Sequence, residues 1–193
     1  MSVVKTGIDQ VIAVFNDRQM PLNQRREKLR SMSLGYLDFD SMAKSVLGNH
    51  WRDLTPAQRS RFVPLFTEFL QDAYLSKMEQ ATVERIRQEA KTAKVQFLKQ
   101  TYFSSDYAEV FSTVALEDQK DPLPVNYLMH QTSGQWRVYD VTIDAISLIA
   151  NYRNQFNRII NNEGYPKLVA DLQAKREQLR QYMNREAGTP ASD

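Results

Sequence analysis

Residues 38–70, DFDSMAKSVLGNHWRDLTPAQRSRFVPLFTEFL, carry two helical patterns joined by a sharply punctuated corner. In the first, Asp38 stands where an N-cap is needed, and Phe39, Met42, Ala43, Val46 and Leu47 fall on one stripe before Gly48 and Asn49 stop it. The second opens on Thr55-Pro56-Ala57-Gln58, a T-x-x-Q capping box with proline at the first helical position. From there Phe62, Leu65, Phe66, Phe69 and Leu70 recur at helical spacing, and Trp51 and Arg52 occupy the corner.

Toward the N-terminus, Val4, Ile8, Val11, Ile12 and Phe15 predict an amphipathic helix ending near Pro21. Leu22, Leu29 and Met32 predict a second, basic helix with a thin apolar stripe. Toward the C-terminus the long helix is expected to run on through Ala73, Tyr74 and Met78 to about Lys91, with room for a break near Met78. At about residue 93 the period changes from 3.6 to 2. Strands are predicted over 93–103, 107–116, 125–131 and 136–143, joined by a turn at 104–106, a loop at 117–124 and a turn at 132–134. That is an antiparallel meander, whose apolar face needs covering by the helices before and after it. Leu148, Ile149, Tyr152, Phe156, Ile159 and Ile160 form a helix from Ser147 to about Gly164, and Pro166 opens another with Leu168, Val169, Leu172 and Leu179. With no repeat or dividing linker, the expectation is one α+β domain over 1–187 and a disordered tail at 188–193.

Composition narrows the function classes. A net charge of +2 over 193 residues gives no electrostatic reason to expect nucleic acid. The local excess at Arg25, Arg26, Lys28 and Arg30 is expected to be a solvated helix face, the alternative being a docking patch for anionic lipid or an acidic partner. Absence of cysteine removes disulfides, thiolate metal sites and thiol nucleophiles together. No apolar run reaches the roughly 20 residues that span a bilayer, and Met1 does not open a cleavable leader.

No catalytic constellation is visible. His50 and His130 have no Glu or His at metal-ligand spacing and are expected to be a corner histidine and an edge-strand histidine. The six glycines form no phosphate-binding loop, and no serine sits in a nucleophile elbow. Asp140 and Asp144 are the candidate bases, because a carboxylate among apolar strand residues can have a raised pKa. The plainer expectation is that one anchors a loop or helix start and the other meets solvent or an arginine, Arg153 being nearby. What stands out is the number of large apolar and aromatic side chains on facing surfaces, among them Val125, Tyr127 and Met129 on one strand face and Phe62, Phe66, Phe69 and Tyr74 on the long helix. These are ordinary core, or the lining of an adaptable apolar cavity.

Three ordered blocks carry a resemblance. VLG-x-x-W-R-x-x-T-P-x-Q-R-x-x-F at Val46 to Phe62, W-x-V-Y-D-V at Trp136 to Val141 and S-L-x-x-N-Y-R-x-Q-F at Ser147 to Phe156 closely resemble the MlaC family, over most of the chain from Asp38 to the helix opened by Pro166. The resemblance implies an NTF2-like cone in which a twisted four-stranded antiparallel sheet and surrounding helices enclose a cavity for lipid tails. It implies a non-catalytic, monomeric phospholipid carrier of the Gram-negative periplasm, with no cofactor beyond its lipid cargo, and hopanoid-linked relatives leave the lipid class open. Implied partners are an inner-membrane ABC transporter complex with an MCE-domain subunit and an outer-membrane lipoprotein complex. Family members carry an N-terminal leader, which is taken as removed here.

A carrier fits the physics: at about 0.8 kcal/mol per methylene, two acyl tails need a sheltered apolar volume worth on the order of 20 kcal/mol. By alternation and helical phase the expected walls are Val46, Phe66, Leu70, Tyr74, Phe97, Phe111, Val125, Tyr127, Met129, Ile146 and Ile149. Of these, Val125 and Ile146 are favoured by the resemblance. Two other readings stay open: an NTF2-like isomerase or dehydratase using Asp140 or Asp144 as base, and a purely structural adaptor domain.

Overall fold

The computed structural model describes residues 1–17, 19–80, 94–115 and 120–188. Five helices come first: α1 (Ser2–Asn16), α2 (Leu22–Tyr36), α3 (Phe39–Leu47), the single turn α4 (His50–Asp53) and α5 (Pro56–Gln80). The meander follows as β1 (Lys94–Tyr102), β2 (Tyr107–Ala115), β3 (Leu123–Thr132) and β4 (Gln135–Ile143), with a two-residue β5 (Ile146–Ser147). Helices α6 (Leu148–Glu163) and α7 (Tyr165–Gly188) close the described chain. The class is α+β, as expected, with a fifth short strand. The predicted stretch of α5 beyond Gln80 and the tail at 189–193 lie outside the described residues.

The helix boundaries follow from local chemistry. The Asp38 carboxylate accepts from the Ser41 amide at 3.0 Å and so caps α3. In the capping box, Gln58 N donates to Thr55 Oγ1 at 3.2 Å and Thr55 N donates to Gln58 Oε1 at 2.8 Å. Gly48 ends α3 with φ of 55°, a left-handed conformation that favours glycine. The Arg153 side chain closes over that turn, and its Nε donates to Ser45 O at 2.6 Å.

The sheet order β1-β2-β3-β4-β5 is the meander, antiparallel throughout. Irregularities between Phe97 and Lys99 and between Leu128 and Met129 change which side chains face inward, as bulges do. The principal core lies where α3, α5, α6 and α7 meet. Phe62 and Phe66 are fully buried there, stacked at 5.9 Å, and Phe66 meets Tyr152 and Phe156 edge-on at 6.5 and 6.2 Å. A second cluster holds Val4 of α1 against Val110, Met129 and Val138 of the sheet.

Two expectations about polar residues are corrected. Of the basic run of α2 only Lys28 is solvent-exposed; the three arginines are not a solvated face. Arg25 is buried and its Nη2 donates to Asp17 O at 2.9 Å, Arg26 Nη2 donates to Met183 O at 2.7 Å, and Arg30 pairs with Asp72, a fully buried carboxylate on α5. Arg176 and Arg180 of α7 approach the same carboxylate at 3.4 and 3.3 Å. The cations of α2 thus tie three helices together, which a thin apolar stripe alone would not do. His130, for its part, lies on β3, the third strand of five, and its Nδ1 meets the Asp38 carboxylate at 2.7 Å.

Candidate functional site

An apolar cavity of about 400 Å³ lies between the α1–α2 hairpin, α5 and the inner face of β3 and β4. Its volume falls within the roughly 300–1,000 Å³ of small-molecule sites. Helix α1 supplies Val4, Ile8, Val11 and Ile12, which recur at helical spacing. Helix α2 supplies Leu29, Met32 and Tyr36, and α5 supplies Leu70, Tyr74 and Leu75. The strands close it with Tyr127, Val138 and Val141. Gly7 lets the hairpin close: a Cβ there would stand 3.1 Å from the Tyr36 ring.

Polar groups on the wall are few and mostly satisfied by one another. Ser33 Oγ donates to Arg30 O at 2.7 Å, and Gln71 Nε2 donates to Ser33 Oγ at 2.7 Å and to Arg30 O at 3.2 Å. The Tyr74 phenol is pushed up to about 12 by burial first and by Tyr152 second, and burial raises Tyr127 against an opposing hydrogen bond with Ser112. Both phenols are therefore neutral at physiological pH, and the wall presents a low-dielectric surface suited to hydrocarbon.

Of the eleven residues expected to line a cavity, Leu70, Tyr74 and Tyr127 lie on this one. Val46, Phe66 and Ile149 are in the packed core behind it, each at most 1% exposed. Met129 and Phe97 belong to the cluster between α1 and the sheet, and Val125 is buried on β3 opposite Ser112. Phe111 carries the Lys99 ammonium over its ring at 4.6 Å, and Ile146, 67% exposed beside the β4–β5 turn, faces solvent. The walls contributed by α1 and α2 were missed. The signal available for α1 was its abundance of β-branched aliphatics: Val3, Ile8, Val11 and Ile12 are half-buried and line the cavity, Val3, Ile8 and Val11 also packing against the neighbouring apolar clusters.

The candidate bases stand elsewhere. Asp140 accepts from Val141 N at 2.8 Å, Ile149 N at 3.1 Å and Ser147 Oγ at 2.5 Å, so it anchors the start of α6. Asp144 is exposed in the turn after β4 with φ of 48°. Neither lines the cavity, and Arg153 bonds the α3 backbone rather than either aspartate. His50 meets Asn157 at 2.7 Å, a corner contact. Among the described residues no group of His, Asp and Glu is placed to hold a metal ion, and no helix is long and apolar enough to cross a membrane.

Comparison with known proteins places this geometry. The chain is 19% identical over 153 residues, 78% of its length and 68% of the relative's, to the intermembrane phospholipid transport system binding protein MlaC of Haemophilus influenzae. Its fold is similar to that of a phospholipid-binding protein from Ralstonia solanacearum solved in complex with a phospholipid, with a TM-score of 0.74, 24% identity, and coverage of 93% of this chain and 97% of that one. Residues 5–174 match the family described as MlaC protein, and the chain belongs to that family.

Proposed function

We propose that this protein is a non-catalytic lipid carrier that holds the acyl tails of a phospholipid between its α1–α2 hairpin and its sheet. The observation that carries the proposal is the apolar cavity of about 400 Å³ inside a MlaC-family fold. The names of the two relatives, one a phospholipid transport component and the other solved with a phospholipid, support the class of cargo. The carrier acts as a single domain and a monomer in the periplasm, exchanging lipid between an outer-membrane lipoprotein complex and an inner-membrane ABC transporter complex with an MCE-domain subunit. Transfer of each methylene from water to the cavity contributes about 0.8 kcal/mol, so the tails supply the affinity. The head group needs no dedicated phosphate site. An isomerase reading is disfavoured because Asp140 is committed to the α6 start and Asp144 lies outside the cavity.

The test is lipid analysis of the purified protein by organic extraction and mass spectrometry. Phospholipid is expected at a reproducible ratio to protein, and Val11→Glu, which places a carboxylate on the cavity wall, is expected to stay folded and lose it. A wild-type protein that is empty and takes up nothing from vesicles would overturn the proposal.

A further inference from the structure

Charge on this molecule is unevenly placed. Of 25 basic and 23 acidic residues, Lys44, Arg52, Arg59, Arg61, Arg153 and Arg158 fall in the two segments 44–61 and 148–162 with Asp53 as their sole acidic companion. The remainder of the chain holds 19 basic against 22 acidic residues. The fold brings the two segments together at the corner: Arg153 lies over Gly48 and bonds Ser45 O, and His50 meets Asn157, the neighbour of Arg158. Arg59 lies over Trp51 at 5.6 Å and donates to Trp51 O and Arg52 O, both at 3.0 Å.

Some cations elsewhere are neutralised. Arg30, Arg176 and Arg180 share Asp72, and Lys167 pairs with Glu163 and Asp171. Among the described residues, none of the six corner cations forms an ion pair. Arg59 and Arg153 are held by backbone carbonyls, so part of the ordering cost of an encounter is already met.

We infer that this basic corner, formed by the C-terminal end of α3, α4, the start of α5 and the facing side of α6, is a docking surface for a carboxylate-rich protein surface. Two observations favour a protein over a membrane. Among the described residues, none of the exposed large hydrophobic side chains lies in the corner, whereas peripheral binding to a bilayer couples basic residues to inserted apolar ones. The corner's cations are also set apart from the cavity: the core around Phe62 and Phe66 lies between, and the eleven steps from Arg59 to Leu70 rise about 16 Å along α5 at about 1.5 Å per residue. Docking here leaves the α1–α2 side of the molecule uncovered. Long-range attraction would steer the encounter and weaken as salt is added. The inference does not depend on what the cavity carries.

The probe is an oligoglutamate peptide titrated into the isotope-labelled full chain at low ionic strength, followed by amide chemical shifts. Perturbations are expected to concentrate at residues 44–61 and 153–158 and to fade as salt is raised. The double variant Arg52→Glu with Arg158→Glu, whose side chains are exposed, is expected to weaken binding at least about tenfold, with Arg52→Ala with Arg158→Ala intermediate. Unchanged thermal melting and lipid content in both variants would separate this result from any failure of folding or of the carrier reading. Shifts scattered over the surface or centred elsewhere would overturn the inference. So would undiminished binding by the reversed variant, or binding of phosphatidylglycerol vesicles through these residues without binding of oligoglutamate.

Discussion

The protein has a solid side and a hollow side, built from the same kinds of side chain. Around Phe62 and Phe66 the helices α3, α5, α6 and α7 interlock, and Ala43, Val46, Leu168 and Phe156 are all but inaccessible. Across α5 the α1–α2 hairpin meets the sheet just as apolar but does not fill the gap, leaving about 400 Å³. The difference lies in the size of the residues sent inward. The solid side packs rings edge-on against rings, whereas α1 offers Val3, Ile8, Val11, Ile12 and the bare Gly7. Beside the apolar clusters at Val4 and at Val14, Phe15 and Leu29, the hairpin is held by Arg30 on Asp72, Arg26 on Met183 O and Asp38 N on Val138 O at 2.8 Å. Apolar contact fills one side; on the other, apolar clusters and polar anchors surround a space left open.

The contrast can be broken by truncation. Phe66→Ala on the solid side is expected to cost about 3–5 kcal/mol in urea unfolding, the usual cost of deleting a fully buried ring. Ile8→Ala on the hollow side should cost less, about 1 kcal/mol, since part of its inner face meets the cavity and only the rest packs against the cluster around Val4. Equal costs would mean that the hollow side is packed after all. Between the two comes Asp72→Ala, expected to destabilise by about 3 kcal/mol, because it leaves Arg30, Arg176 and Arg180 without the carboxylate that they share. A silent Asp72 variant would remove the rim anchor from the account.

A smaller effect is expected at Asp38. Burial pushes its carboxyl up, but hydrogen bonds from Ser41 N, His130 and Ser41 Oγ, with the charge of His130, outweigh it and leave the pKa below its ordinary value of 3.8. A depressed folded pKa gives stability that is present above 3.8 and lost as pH falls through the folded value. Asp38→Asn should therefore lose about 1 kcal/mol near neutrality and show a shallower acid transition below pH 3.8 in a pH series of thermal melts. Smallest of all, Ile146→Glu is expected to leave both stability and lipid content within about 0.5 kcal/mol and measurement error, because that side chain already faces solvent.

The sequence made the solid side legible and left the hollow side dark. The capping box at Thr55, the cap at Asp38 and the stripe through Phe62 and Phe66 each act over a few residues, and each predicted its element and its buried face. The strands were legible from their alternation, but not the irregularities beside Leu98 and Tyr139, which re-aim neighbouring side chains. Periodicity identifies an apolar face without saying whether the facing surface fills the space, so Val46, Phe66 and Ile149 read as readily as cavity wall as core. The wall built by α1 and α2 depends on the partnership of Arg30 with Asp72, 42 residues away, and no local pattern announces such a pair.

The division into two sides is tested most directly by a phospholipid carrying a photoreactive group in its acyl tail, loaded into the protein, crosslinked, and mapped by peptide sequencing. The account predicts labels on the inner residues of α1 and α2, such as Ile8, Val11 and Met32, and on Leu70 to Leu75 of α5. Labels confined to Ile143 and Ile146, or to the exposed β1–β2 hairpin at Tyr102 and Phe103, with none on α1 or α2, would contradict it.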